Sequence, residues 1–139
     1  MASTIGMIIV CTTLAGSARA GEVGWGDVTA SYDGKKRSVA QGEFYNKKKV
    51  YAENRVRTKD LAPDGNTVYA EMEFHFDGGL TGIGYHTPEH NHTYYVQNYL
   101  RSELDGASQS VRGSTHACVQ MGYPVPDRCS VWAQPSFSY

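Results

Sequence analysis

The chain has 139 residues, and its 13 Lys+Arg against 14 Asp+Glu leave a formal net charge of −1. A balance so close to neutral excludes a general nucleic-acid-binding protein, which needs a basic excess to meet phosphates. Leu is scarce while Tyr and Gly number 10 and 15, a composition that suits strands and turns and excludes a helical bundle.

Residues 1–20 carry a short apolar run, Met7-Ile8-Ile9-Val10-Cys11, followed by Ser17-Ala18-Arg19-Ala20. The small-x-small pattern Ala18-x-Ala20 predicts a secretory signal peptide over residues 1–20, cut before Gly21, and hence a secreted, extracellular product. Residues 1–6 hold no Lys or Arg, so the positive end of such a signal is missing. Cys11 follows Val10 where lipid acylation wants a small residue, and too little apolar chain precedes it. No later segment reaches the roughly 20 apolar residues of a transmembrane helix, so no membrane span is expected. Residues 21–139 are long enough for one domain with one core.

That domain opens on Gly21-Glu22-Val23-Gly24-Trp25-Gly26. The run is glycine-rich enough to serve as a mobile arm that adds a strand to a partner's sheet edge, with Trp25 as its contact residue. After it, period-two alternation recurs at residues 26–32, 39–45, 49–58, 68–76, 80–86, 92–101, 108–119 and 130–139. Asp33-Gly34, Asn46 with the lysines after it, Asp77-Gly78-Gly79 and Asp105-Gly106 supply the turns. In residues 49–58, Val50, Ala52 and Val56 alternate with Tyr51, Glu53, Arg55 and Arg57. In residues 68–76, Val68, Ala70, Met72, Phe74 and Phe76 fall on one face, and Glu71, Glu73 and His75 on the other, as in a sheet with one wet face. These two segments are expected to pair as a hairpin across residues 59–67. The basic clusters Lys35-Lys36-Arg37 and Lys47-Lys48-Lys49 fall at turns as solvated tips, and would form an anion-binding patch if one end of the fold held both.

The predicted fold class is all-β: a single-domain antiparallel β-sandwich, or small barrel, of about eight strands with one disulfide, over residues 21–139. An outer-membrane barrel is disfavoured, because Pro135 interrupts the last strand and Asn54, Asn98 and Gln109 stand where lipid demands apolar residues. Cys118 and Cys129 are an even pair in an exported chain and predict the disulfide; the C-x-x-C spacing of a redox or metal pair is absent.

Chemistry-bearing residues concentrate in "GYHTPEHNHTYY", residues 84–95, where His86 to His90 spell H-x-x-E-H. In zinc peptidases that pattern works on a helix, which Pro88 and the β-prone Thr93-Tyr94-Tyr95-Val96 argue against here. A hairpin tip is expected instead, on which His86, Glu89, His90 and His92 could hold Zn or Cu; no other cofactor is expected. Asn91-His92-Thr93 is a glycosylation sequon, meaningful only in a eukaryotic secretory pathway. Ser114 and His116 could face one way on a strand, but no G-x-S-x-G elbow and no third group supports a nucleophile, and Glu71 with Glu73 is ordinary on a wet face. Tyr94, Tyr95 and Tyr99, with Tyr85, Phe137 and Tyr139, exceed the needs of one small core and suit recognition of protein or glycan.

The early Gly-Trp-Gly, the "DGNTVYAEMEF" strand, one late cysteine pair and the terminal "PSFSY" together resemble small secreted β-proteins of actinomycetes. Within that group the layout is similar to the adaptor subunit of umbrella toxin particles. The resemblance implies a partner that is another secreted protein, a lectin-like or a large toxin subunit; no residue roles carry over. The leading expectation is a non-enzymatic protein-binding module acting through Trp25, Tyr94, Tyr95, Tyr99 and Tyr123. Two alternatives stand beside it: a metal-binding effector or hydrolase using His86 to His92, and a small antibacterial protein or protease inhibitor presenting the disulfide loop of residues 122–128.

Overall fold

The computed structural model describes residues 21–139. The expected signal peptide and Cys11 lie outside the described residues. Nine strands form two antiparallel sheets, and no helix occurs among the described residues. The first sheet holds β1 (Glu22–Tyr32), β2 (Lys35–Lys47), β3 (Tyr51–Asp60) and β6 (Val96–Glu103), in the order β1-β2-β3-β6. The second runs β5-β4-β7-β8, from β4 (Val68–Phe76), β5 (Thr81–His86), β7 (Ser110–Val119) and β8 (Arg128–Cys129), with β9 (Ser136–Ser138) also on β7. The all-β sandwich with one disulfide, Cys118–Cys129, is therefore as expected.

Inward-facing residues of both sheets make one core. Phe44 of β2 lies with its ring centroid 6.1 Å from Phe74 of β4 and 4.8 Å from Phe137 of β9, so it ties the sheets together. Opposite it, Gly113 leaves room: a Cβ there would run into the Met72 side chain and press on the Phe44 ring. The alternation expected for β4 holds, with Val68, Ala70, Met72 and Phe74 buried.

Four expectations need correction. β3 and β4 do not form a hairpin: β3 pairs with β2 and β6, while β4 pairs with β5 and β7. Two strands with one apolar face each bury those faces better across a sandwich than side by side. The link between them turns twice on side-chain caps, Asp60 Oδ1 accepting from Ala62 N at 2.9 Å and Asp64 Oδ1 from Asn66 N at 3.0 Å.

The glycine-rich opening is no mobile arm but the first half of β1, paired Glu22↔Tyr45 through Trp25↔Gly42. A bulge between Trp25 and Val28 turns both toward the core, where strict alternation would have set them on opposite faces. Trp25 packs over Gly42, at which a Cβ would run into the Arg55 carbonyl, and its Nε1 donates to Asn54 Oδ1 at 2.8 Å.

The two basic clusters sit at opposite ends of β2, roughly 40 Å apart at about 3.3 Å per residue, so they share no anion patch. Finally, residues 130–139 are not one strand. Only the Thr115↔Ala133 bridge and β9 continue along β7 beyond β8, because Pro135 has no N–H to give, although its carbonyl accepts from Gly113 N at 2.8 Å.

Candidate functional site

Residues 87–95 are not a hairpin tip. They cross from β5, at one edge of the second sheet, to β6, at the edge of the first. Backbone bonds pin this crossover over the end of the sandwich: Val68 and His90 exchange N–H to O bonds of 2.8 and 3.1 Å, and Asp60 N donates to His92 O at 3.0 Å. Buried Thr87 adds a side-chain bond, its Oγ1 accepting from Ala70 N at 3.0 Å. No helix forms over H-x-x-E-H, so a zinc-peptidase geometry is absent there.

Three of the four candidate ligands have a ligating atom engaged elsewhere, and the fourth, His92, is held in a ring stack. His86 Nδ1 lies 3.0 Å from its neighbour Thr87 O, and Glu89 Oε2 accepts from Thr67 Oγ1 at 3.0 Å. His90 Nδ1 accepts from His92 N at 3.1 Å, which leaves the proton on Nε2, 2.7 Å from Thr58 Oγ1. His90, His92 and Tyr94 form a continuous stack, with centroid spacings of 5.5 and 4.7 Å. Among the described residues, the group whose metal-ligating atoms converge is a different one: Glu71, His116, Cys118 and Cys129.

Burial, with His92 beside it, lowers the His90 pKa below its ordinary 6.5. The folded chain thus holds His90 neutral while the unfolded chain takes a proton first as the pH falls. Its contribution to stability is whole above about pH 6.5 and is lost as the pH falls through the window between the two values. The amide protection of His92 and Asp60 is therefore expected to drop between about pH 7.5 and about pH 5, and His90→Gln to flatten the drop. Equal protection at both pH values in the unmodified protein would contradict this.

The outer face of the first sheet carries Tyr95 and Tyr99 among the aromatic residues picked out from sequence. Tyr95, Gln97, Tyr99 and Arg101 point outward from β6 and its approach, beside Arg55 and Arg57 of β3 and Glu43 and Tyr45 of β2. Glu43 takes a bidentate pair from Arg57 at 2.7 and 3.0 Å and a third bond from Arg55 at 3.0 Å; these bonds, Arg57 first, hold its carboxyl below the usual range. Arg55 also reaches Glu22 at 3.1 Å.

Glu53, read from sequence as a wet-face residue, is 0% exposed although its register sets it on this outer face. Tyr45 O–H and Lys47 Nζ both donate to its Oε1, and Arg101 Nε stands 3.2 Å from Oε2, off the line of a hydrogen bond. Burial and the Glu53 carboxylate together hold the Tyr45 phenol protonated far above its ordinary value. Cations lie over the rings as well: Lys59 over Tyr95 and Arg101 over Tyr51, both at 5.4 Å. The face is thus a cross-braced lattice, above which Tyr95 and Tyr99 stand 40% and 49% exposed, while Tyr94, 62% exposed, stacks on His92 in the crossover.

The outer face of the second sheet differs. His86, Glu71 and His116 form a row across β5, β4 and β7. His116 Nε2 lies 2.9 Å from Glu71 Oε2, and Trp132 stacks on the imidazole at 3.5 Å and 12°. Cys118 and Cys129 pair in the next row. Beyond it the loop of residues 122–128 is fastened by Asp127, which accepts from Tyr69 O–H at 2.5 Å and Met121 N at 3.2 Å. Tyr123 projects fully into solvent there, with Val125, Val131 and Trp132 also exposed.

Of the residues expected from sequence to make contacts, Tyr94, Tyr95, Tyr99 and Tyr123 are exposed, whereas Trp25 packs on the core. The Glu53 lattice and the Glu71–His116–Trp132 stack were not expected from sequence. Glu71 and His116 are 45 residues apart, and no local signal joins them. Comparison with known proteins finds no matching family model, no matching curated protein and no matching solved structure.

Proposed function

We propose that the protein is a non-enzymatic binding module, exported and extracellular, that joins two other exported proteins. The observation that carries this reading is the pair of unlike aromatic surfaces on opposite sides of one rigid sandwich. The first, Tyr95 and Tyr99 over the Arg–Glu lattice, combines the residue types that dominate binding hot spots with a frame that loses little freedom on association. The second, Tyr123, Val125, Val131 and Trp132, is smaller and apolar. An adaptor needs two such surfaces; an enzyme needs a reactive group open to substrate. The His116 ring supports the former, because one nitrogen is held by Glu71, the other is enclosed, and Trp132 covers a face. Ser114 is buried, closed to a substrate. The layout similarity to the adaptor of umbrella toxin particles agrees with this role, with a lectin-like and a large toxin subunit as the partner classes.

Capture of partners from the native culture medium on immobilised protein tests the reading. Tyr95→Ala with Tyr99→Ala is expected to leave the fold intact and to weaken one partner by about 2 kcal/mol or more, roughly 30-fold in Kd. Tyr123→Ala is expected to weaken a different partner and spare the first. If the protein retains no exported protein, or if both changes leave every captured protein unaffected, the adaptor reading fails.

A further inference from the structure

We propose that, once the Cys118–Cys129 bond is reduced, the protein binds one thiophilic divalent cation, Zn2+ by its chemistry, through both thiolates and His116, with Glu71 orienting the ring. The sequence lacks a C-x-x-C, but the second sheet builds an equivalent from three strands. Glu71 of β4 and His116 of β7 are opposite each other, Cys118 follows His116 on the same face of β7, and Cys129 of β8 is opposite Cys118. One ligand atom from each of the four lies within 4.8 Å of all the others. A tetrahedral zinc site with bonds of about 2.0–2.3 Å separates its ligands by roughly 3.3–3.8 Å, so small side-chain rotations suffice once the sulfurs part.

A second observation points the same way. His116 is 6% exposed, and its Nδ1 is buried without a partner. With Nε2 donating to the Glu71 carboxylate, Nδ1 carries a bare lone pair, the state a metal ligand requires. A carboxylate behind a histidine fixes its tautomer in many zinc sites, and here that arrangement stands in place beside two sulfurs. In the disulfide form those sulfurs are bonded to each other and offer no thiolate, so oxidation closes the site.

Access favours the opening reaction at one sulfur. Cys129 is exposed while Cys118 is fully buried. A thiolate of a dithiol reductant attacks Cys129 Sγ and expels Cys118 as thiolate; the second thiol of the reductant then resolves the mixed disulfide and frees Cys129. Two electrons and two protons pass to the protein, and the reductant leaves as a cyclic disulfide. Metal binding then displaces the thiol protons. The chain accordingly takes metal only where its thiols persist and gives it up on oxidation.

Anaerobic titration of the full chain with Co2+, and then Zn2+, tests this after reduction by a phosphine, which departs as its oxide with oxygen from water and leaves no competing thiol. The expected result is one Co2+ per chain with a thiolate-to-cobalt charge-transfer band, displaced by Zn2+, and none in the oxidised protein. Cys118→Ser with Cys129→Ser is expected to abolish the band. Glu71→Gln, at a half-exposed side chain, is expected to keep the fold and weaken binding by about 10-fold or more. The proposal is overturned if the reduced chain takes up no metal, if oxidised and reduced chains bind equally, or if Glu71→Gln and His116→Gln both bind as tightly as the unmodified chain. Loss of strand structure on reduction that added Zn2+ does not reverse overturns it equally, since binding at this site is coupled to folding.

Discussion

Phe44→Ala is expected to lower the unfolding free energy by about 3–5 kcal/mol. Its ring is 0% exposed and packs against Phe74 of β4 and Phe137 of β9 together, at 6.1 and 4.8 Å between centroids. Two hydrogen-bonded sheets cannot close on the space it leaves, because each is braced by its own ladder, so the cavity persists and its cost is felt in full. Urea denaturation of the variant measures the effect. A loss below about 1 kcal/mol would mean that the sheets are held together elsewhere. Because both proposed surfaces depend on the same packing, binding at the two faces is expected to fall together in this variant, unlike the separate losses expected for Tyr99 and Tyr123.

Replacing both cysteines, Cys118→Ala with Cys129→Ala, is expected to cost about 3 kcal/mol in the oxidised protein, the chain-entropy value for a short loop. The bridge spans a sequence separation of 11 and closes the loop that carries Tyr123. β8 has only two residues, so little other than the bridge and Asp127 keeps that loop against β7. Comparing equilibrium denaturation of the variant with the oxidised parent gives the number. A difference near zero would show that the Asp127 bonds alone order the loop. The same variant lacks both thiolates, so its stability is expected to be indifferent to Zn2+ under reducing conditions, whereas that of the reduced parent is expected to rise with it.

Much of the architecture was legible because its signals are local. Period-two alternation marked Val68–Phe76 with the correct inner and outer faces, and Asp-Gly pairs marked the β1–β2 and β6–β7 connections. The late pair Cys118 and Cys129 gave the bridge. Where the reading failed, a non-local contact overrode the local pattern. Glu53 alternates as a solvent-facing residue, yet Tyr45, Lys47 and Arg101 roof it over from β2 and β6. Trp25 looked free because the bulge that turns it inward is a property of its pairing with β2, not of its own sequence. His86 to His92 looked like a ligand set although proximity along a chain is not proximity of lone pairs; the fold spends a nitrogen of His86 on Thr87 and both nitrogens of His90 on Thr58 and the crossover backbone.

Residue order alone established that this chain makes strands and that one face of each is apolar, since both follow from the nearest neighbours and the period of the backbone. Which strands share a sheet, and therefore which side chains meet, was settled only by the packing of two apolar faces against each other. That packing set Glu71 beside His116 and both beside the disulfide, and raised Tyr99 of β6 over a lattice of charged side chains drawn from its neighbouring strands.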